Sequence, residues 1–406
     1  MEVKIQGGGF MTRVVVLGGG YAGLRAIKFL QRQLPKEVEL TLVSDTPIHT
    51  EKTNLHEVAA GTIAPNRITF EIKSVLQPRV NFRVETVAKV DVDHKQISFA
   101  SGDILPYDYV IVALGFKSES FGLQGAENAL PLDSIDSATR IQTAVEQQVA
   151  RYAKSKDPND LNVVVCGAGF TGIELVGEFT KSLPKLAAKY NTPAINLTCI
   201  EMATHILPMF DQGLADYAVD YLKQKGAKLL TGAKITAIEP NAVVYSDDEG
   251  EHRAYANTII WTVGVSGSNV IADSGFNQRR NRVVVGEHLN MDAHPEVYLV
   301  GDVSAVMDPA SSRPYPTTAQ ISLKQGEIAA KNVVAAINNQ PQTTFTYQSA
   351  GTVASLSDTN AIGEVGKMKL KGYPASALKK IITDRSLLED ANLRTMFKKG
   401  RYDIYH

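Results

Sequence analysis

Two short glycine patterns stand where a chain would grip phosphates. Gly18-x-Gly20-x-x-Gly23 follows the β-branched run Arg13 to Leu17 and opens an amphipathic run ending near Gln33. Gly167-x-Gly169-x-x-Gly172 follows Leu161 to Cys166 and opens a second helical run, from Ile173 to about Ser182. In such a turn the first glycine permits the tight bend and the second lets a pyrophosphate approach the backbone. The third allows helix and strand to pack closely, and the helix N-terminus then faces the diphosphate. One copy is weak evidence; two copies, each between a strand and a helix, predict two bound dinucleotides. Glu201 ends the second strand of the later copy, Ile195 to Ile200, and is placed to accept from a ribose diol. No arginine follows it to receive a 2′-phosphate, which favours NADH over NADPH. The matching position in the first copy is Ser44, with Asp45 next.

Other chemistries are excluded by what the sequence lacks. Its two cysteines, Cys166 and Cys199, lie singly in apolar runs, whereas disulfide relays and thiolate metal sites need paired sulfurs at short spacing. The eight histidines form neither HxxxH nor HExxH, so no metal is expected. The longest apolar run, Tyr107 to Phe116, is far short of the ~18 residues that span a bilayer and reads as a buried strand. A formal net charge of −1 argues against a nucleic-acid binder working through bulk charge.

The elements that must position these residues alternate β and α, the pattern of parallel α/β architecture. With 406 residues, two to three domains are expected. Glu37 to Val43 reads as the second strand of the first copy. Tyr107 to Gly115 and Thr258 to Gly264 are matching buried strands, and Val297 to Asp302 is another, ending in Gly-Asp. The repeat of about 150 residues suits duplicated nucleotide-binding domains. A Pro/Ser-rich loop from Asp308 to Pro316 leads to a helix over about Thr318 to Asn338. Strands follow near Thr344 to Leu356 and Ala361 to Val365. Met1 to Phe10 reads as a dispensable lead without a targeting pattern, Met11 being a possible natural start.

The chain resembles the two-dinucleotide-binding-domain flavoproteins, and within them the type II NADH dehydrogenases. The stretches that carry this are Gly18-Gly-Gly-Tyr-Ala-Gly23, Leu55-His-Glu-Val-Ala-Ala-Gly61, Val112-Ala-Leu-Gly-Phe116, Gly167-Ala-Gly-Phe-Thr-Gly-Ile-Glu174, Leu207-Pro-Met-Phe210, Gly301-Asp302 and Pro316-Thr-Thr-Ala-Gln320. The resemblance implies an α/β fold of two Rossmann-like domains. An FAD domain (11–120 and 287–340) is interrupted by an NADH domain (121–286), and residues 341–406 form a C-terminal membrane-associating segment. It implies FAD contacts at Gly18, Gly20, Tyr21, Ala22 and Gly23, at Asp45, Thr53 and Val87, and at Ala113, Gly115 and Ala319. Asp302 would hold the ribityl chain. NADH contacts would fall at Gly167, Gly169, Phe170, Thr171, Gly172, Glu201 and Gly264. Glu174, read as lying in the first turn of its helix, would sit near the stacked rings. Gln320 would line a quinone pocket; the family's second glutamine is here Lys324, followed by Gln325, and Lys379 matches a lysine at the quinone end of the flavin. The implied activity carries a hydride from NADH to FAD and two electrons onward to a membrane quinone, menaquinone or ubiquinone in type, without proton pumping. A homodimer is also implied. A soluble NADH oxidase or diaphorase and a slow NADH-sensing flavoprotein are the competing readings.

The near-neutral total hides a partition. Residues 367–406 carry ten basic against four acidic side chains, a net of +6, while the remaining 366 carry 32 against 39, a net of −7. After Pro374, Leu378, Ile381 and Ile382 recur at helical spacing, and Leu393, Met396 and Phe397 repeat the pattern. Basic amphipathic helices of this kind lie in a bilayer interface against anionic headgroups. The segment is therefore expected to attach the protein peripherally to the cytoplasmic face of the membrane.

Overall fold

A computed structural model describes residues 11–309 and 311–401. The lead from Met1 to Phe10 lies outside them. Two five-stranded parallel sheets form the frame. The first runs in the order Val297–Leu299, Tyr109–Val112, Arg13–Leu17, Glu39–Ser44, Val80–Val84; the second runs Leu130–Pro131, Thr258–Trp261, Asn162–Cys166, Asn196–Ile200, Ala227–Leu230. In both the glycine-turn strand is central, flanked by the strand after the helix on one side and the late buried strand on the other. The central strand, its helix and the late strand all recur 149 positions on. These central strands are buried on both faces, as parallel strands covered by helices must be, and they read as Val/Ile/Leu runs.

The first nucleotide helix, Tyr21–Gln33, ends where the pattern predicts. The second is longer at both ends: it spans Phe170–Tyr190 and carries Pro184 inside. A proline predicts a helix boundary because it removes one backbone hydrogen bond. Here Phe179, Leu183 and Ala187 bury the face on either side of it, and packing outweighs that local loss.

The chain returns to the first sheet at Val297, and the helix Ala319–Ile337 then lies against the first nucleotide helix. Their approach is close: a Cβ on Gly326 would sit 2.2 Å from the Ala22 carbonyl oxygen. Residues 342–351 form no strand; the predicted strand starts at Thr352, in a three-stranded antiparallel sheet of Thr352–Ser357, Asn360–Val365 and Met368–Gly372. The third strand holds Lys369 and Lys371, so the basic section opens as sheet. That sheet rests on the second nucleotide helix, where a Cβ on Gly177 would meet the Leu356 carbonyl oxygen at 2.2 Å. Helices Tyr373–Asp390 and Leu393–Lys399 are the last elements among the described residues. No helix among the described residues is long and apolar enough to cross a membrane.

Candidate active site

Both glycine turns have the same division of labour. A Cβ on Gly18 would lie 2.1 Å from the Ala113 carbonyl oxygen, and one on Gly23 would lie 1.9 Å from that of Gly18. In the second copy a Cβ on Gly172 would lie 1.9 Å from the Gly167 oxygen, and one on Gly167 would meet Val263 at 2.8 Å. Gly20 and Gly169 differ: nothing lies within 4 Å of a Cβ there. Each is the N-cap of its helix, no side chain caps either helix, and neither first turn contains an acid. Both helix N-termini thus present unsatisfied N–H groups and positive dipole ends to open space, an anion cradle. The residues present fit two diphosphates.

Glu201 lies at the tip of Asn196–Ile200. Its carboxylate accepts from Ala168 N at 2.7 Å and Ala203 N at 2.9 Å, which fixes it beside the second turn. In the first copy Ser44 is buried and Asp45 exposed. Gly115 and Gly264 close the matching late strands with φ of +68° each. The space over Gly115 is open, whereas that over Gly264 is held by the exposed Phe121 ring, 2.5 Å from a Cβ position.

On the first-sheet side Tyr21 Oη reaches Glu51 Oε2 at 3.1 Å and Thr53 Oγ1 at 3.2 Å. Val87 is buried in the first core. Burial lifts the Asp302 carboxyl above its usual range, against the pull of Lys52 and Arg282. Burial likewise lowers Lys52, which faces Asp133, Asp302 and Asp45 and lies 4.5 Å over the Phe116 ring. The sequence reading gave no role to Lys52 or Arg282. Both thiols are buried, and burial pushes Cys199 up to about 12, which disfavours the thiolate on which thiol chemistry depends.

Glu174 lies one turn further along than read. The helix begins at Phe170, so Glu174 sits in its second turn, buried, where the C-terminal unit closes over it. Lys379 Nζ donates to Glu174 Oε1 at 2.8 Å, Ser355 N donates to the same oxygen at 3.0 Å, and His56 Nδ1 stands 3.7 Å from Oε2. Burial would raise this carboxyl, yet Lys379, His56 and the hydrogen bonds together hold it below the ordinary range. Lys379 therefore turns inward, away from the basic face on which its sequence neighbours were counted. His56 and Ser355 were missed as partners; His56 lay in a quoted stretch, but no spacing ties it to Glu174.

Thr318 caps the helix Ala319–Ile337, its side chain accepting from Ile321 N at 3.3 Å. Gln320 donates to Gly351 O at 3.0 Å and accepts from Tyr347 Oη at 3.1 Å. Lys324 is exposed. The inward residue is the next one, Gln325, which accepts from Gly301 N at 2.6 Å and Ser304 Oγ at 3.2 Å and so braces the Gly-Asp turn.

Two sheets of one topology, each ending in a phosphate cradle, with two deeply buried and unpaired thiols, define a two-nucleotide oxidoreductase of the pyridine-nucleotide type. Residues 12–326 match the pyridine nucleotide-disulphide oxidoreductase family. Type II NADH:quinone oxidoreductases of Staphylococcus saprophyticus and Staphylococcus aureus are 37% and 36% identical over 397 residues, covering 96% of this chain and 98% of theirs. The fold is similar to NDH2 of Plasmodium falciparum, solved with NADH (TM-score 0.84, 18% identity, 96% of this chain and 97% of that one). It is also similar to the sulfide:quinone oxidoreductase of Aquifex aeolicus (TM-score 0.78, 22% identity, 94% and 92%). The chain belongs to the pyridine nucleotide-disulphide oxidoreductase family and, within it, to the type II NADH:quinone oxidoreductases.

Proposed function

We propose that this NADH:quinone oxidoreductase holds FAD on the Gly18–Gly23 turn and NADH on the Gly167–Gly172 turn, and meets its quinone beneath the C-terminal unit. The paired open cradles carry this reading, since each leaves room for a diphosphate only over its second glycine. When bound, FAD accepts a hydride and releases electrons singly or in pairs. The chain supplies binding, orientation and a proton. Glu201, pinned by two backbone amides, would accept from the nicotinamide nucleotide's ribose. Asp302, between Lys52 and Arg282, would accept from a ribityl hydroxyl. The N-terminus of Ala319–Ile337 would face the flavin's pyrimidine edge, and Gln320, clamped by Gly351 and Tyr347, would offer the quinone a fixed amide. Lys379 Nζ, which donates to Glu174 Oε1, would pass one of its protons to the quinone oxygen. Anaerobic stopped-flow tests the whole: NADH is expected to bleach the flavin, and a short-chain menaquinone or ubiquinone to restore it faster than oxygen does. Reoxidation by oxygen at the quinone's rate would overturn the reading.

Two further expectations follow. Glu201→Ser removes a carboxylate that would repel a 2′-phosphate, so discrimination against NADPH is expected to fall about tenfold, read as the ratio of kcat/KM values. Lys324→Gln is expected to leave the acceptor preference unchanged, because that ammonium is exposed and Gln325 makes the inward contacts.

The membrane side of the proposal rests on the C-terminal helices. Ile381, Ile382, Leu388, Leu393 and Phe397 are exposed, Phe397 by 63%. Leu378 and Met396, counted on the same face from sequence, instead pack against the body. The basic face is thinner than its composition: Lys369 pairs with Asp211, Lys399 bonds Asn66 O and Thr69 O, and Arg401 pairs with Glu57. Apolar insertion then contributes more than headgroup attraction. Phe397→Glu is expected to weaken cosedimentation with anionic vesicles about 30-fold, from the ~2 kcal/mol that burying a large apolar side chain contributes.

A further inference from the structure

A second buried cluster lies outside the proposed reaction path. His49, in the strand Ile48–Thr50, meets Glu51 beside it and Asp390, the last residue of the helix Tyr373–Asp390. All three are at most 1% exposed. Each is held by a protein partner on one atom and bare on the other. His49 Nδ1 lies 2.8 Å from the Gly19 carbonyl oxygen, an acceptor only, so Nδ1 carries the proton and Nε2 in the neutral ring has a lone pair. Glu51 Oε2 accepts from Tyr21 Oη at 3.1 Å, and Ser386 Oγ lies 3.1 Å from Glu51 Oε2 and 3.2 Å from Asp390 Oδ2, its one proton shared between them. Among the described residues, His49 Nε2, Glu51 Oε1 and Asp390 Oδ1 have no hydrogen-bond partner.

One ligand atom from each residue lies within 4.8 Å of the other two, with His49 Nε2 and Glu51 Oε1 3.7 Å apart. That is too long for a hydrogen bond. Bonds of about 2.1 Å from nitrogen and oxygen donors to one tetrahedral ion would put neighbouring donors roughly 3.4 Å apart, close to this pair. An imidazole braced through its other nitrogen by a backbone carbonyl is the usual support of a metal-ligating histidine. Lys28 donates to Glu389 O and Ala391 O on either side of Asp390. Two carboxylates facing each other in a water-excluded site repel unless a cation stands between them.

We propose that His49 Nε2, Glu51 Oε1 and Asp390 Oδ1 form a site for a divalent transition ion of the zinc class. Two carboxylates neutralise the dication, and one imidazole with two carboxylate oxygens suits zinc, cobalt or manganese better than calcium. The ion would staple the last turn of the long C-terminal helix to the strand Ile48–Thr50, whose His49 also contacts the first glycine turn through the Gly19 carbonyl. Spacing along the sequence could not suggest it, because the ligands come from opposite ends of the chain.

Purified holoenzyme, freed of loose ions by a chelating column, is assayed for metal by elemental analysis and titrated with zinc and with cobalt. One zinc per chain is expected to survive gel filtration, and cobalt is expected to add absorption beyond the flavin envelope. Asp390→Asn and Glu51→Gln are each expected to weaken cobalt binding at least about tenfold, Asp390→Asn with flavin content unchanged. Should a variant not fold, anomalous scattering at the zinc edge from crystals of the unaltered protein decides the question. A peak among the three side chains supports the site; no peak there, or cobalt binding indifferent to both substitutions, overturns it and leaves the cluster holding a proton.

Discussion

Gly20→Val is expected to purify as a folded protein that has lost its flavin, and Gly169→Val as a yellow protein that NADH no longer reduces. Most glycine substitutions in these turns would confound ligand loss with damage, since at Gly18, Gly23 and Gly172 the added carbon collides with backbone oxygens at 1.9–2.1 Å. Gly20 and Gly169 are free of that problem. Their φ values of −82° and −69°, with ψ near ±170°, are open to any residue, and no protein atom stands in the way. Only a ligand on the helix N-terminus would meet the new side chain. Moving an anion off a partly buried N-terminus forfeits about 2 kcal/mol, or roughly 30-fold in affinity, before other contacts shift. Flavin absorbance per chain and the apparent KM for NADH are the two readouts, with thermal denaturation of each apoprotein as the control for folding. Loss of flavin from Gly169→Val, with Gly20→Val keeping its flavin and losing NADH affinity, would exchange the roles of the two sheets.

The two glycine turns, the strands that precede them and their repetition were legible because each rests on local rules. A glycine that would strike its own backbone must be glycine, and a fully buried parallel strand must be apolar. The second nucleotide helix runs further at both ends than its local pattern indicates, and tertiary packing carries it through Pro184. The partners of Glu174 were illegible for a different reason. Lys379 and Ser355 reach it only because the C-terminal sheet packs on Gly177, and nothing in their spacing announces that contact. Lys379 turns inward while Lys324 is exposed, and composition alone could not separate them, since a count of charges along a helix cannot tell solvent from a buried carboxylate.

Lys379→Met is expected to have the second large effect, on stability and on the quinone half of the reaction. Glu174 is buried, and its charge is tolerated because Lys379, Ser355 N and His56 surround it. Removing one partner of a buried pair typically costs about 3–5 kcal/mol, because the remaining charge is neither solvated nor paired. The sign of the pH dependence should invert. In the natural protein the folded Glu174 titrates below its unfolded value, so its contribution is present above the unfolded pKa and disappears as pH falls through the folded one. In Lys379→Met burial is opposed only by His56 and the Ser355 amide. The folded carboxyl should then titrate above its unfolded value, and the variant should lose stability as pH rises through it. Adding Glu174→Gln removes the stranded charge and is expected to restore most of the stability without restoring quinone turnover. A positioned proton donor contributes about 100-fold or more, so quinone reduction should fall by that order while anaerobic flavin reduction by NADH stays within a few-fold. Because Glu174 is read as adjoining both half-reactions, the split between them is the decisive number. Equal losses in both would make the pair a structural clamp, and wild-type quinone turnover in Lys379→Met would remove it from the proton path.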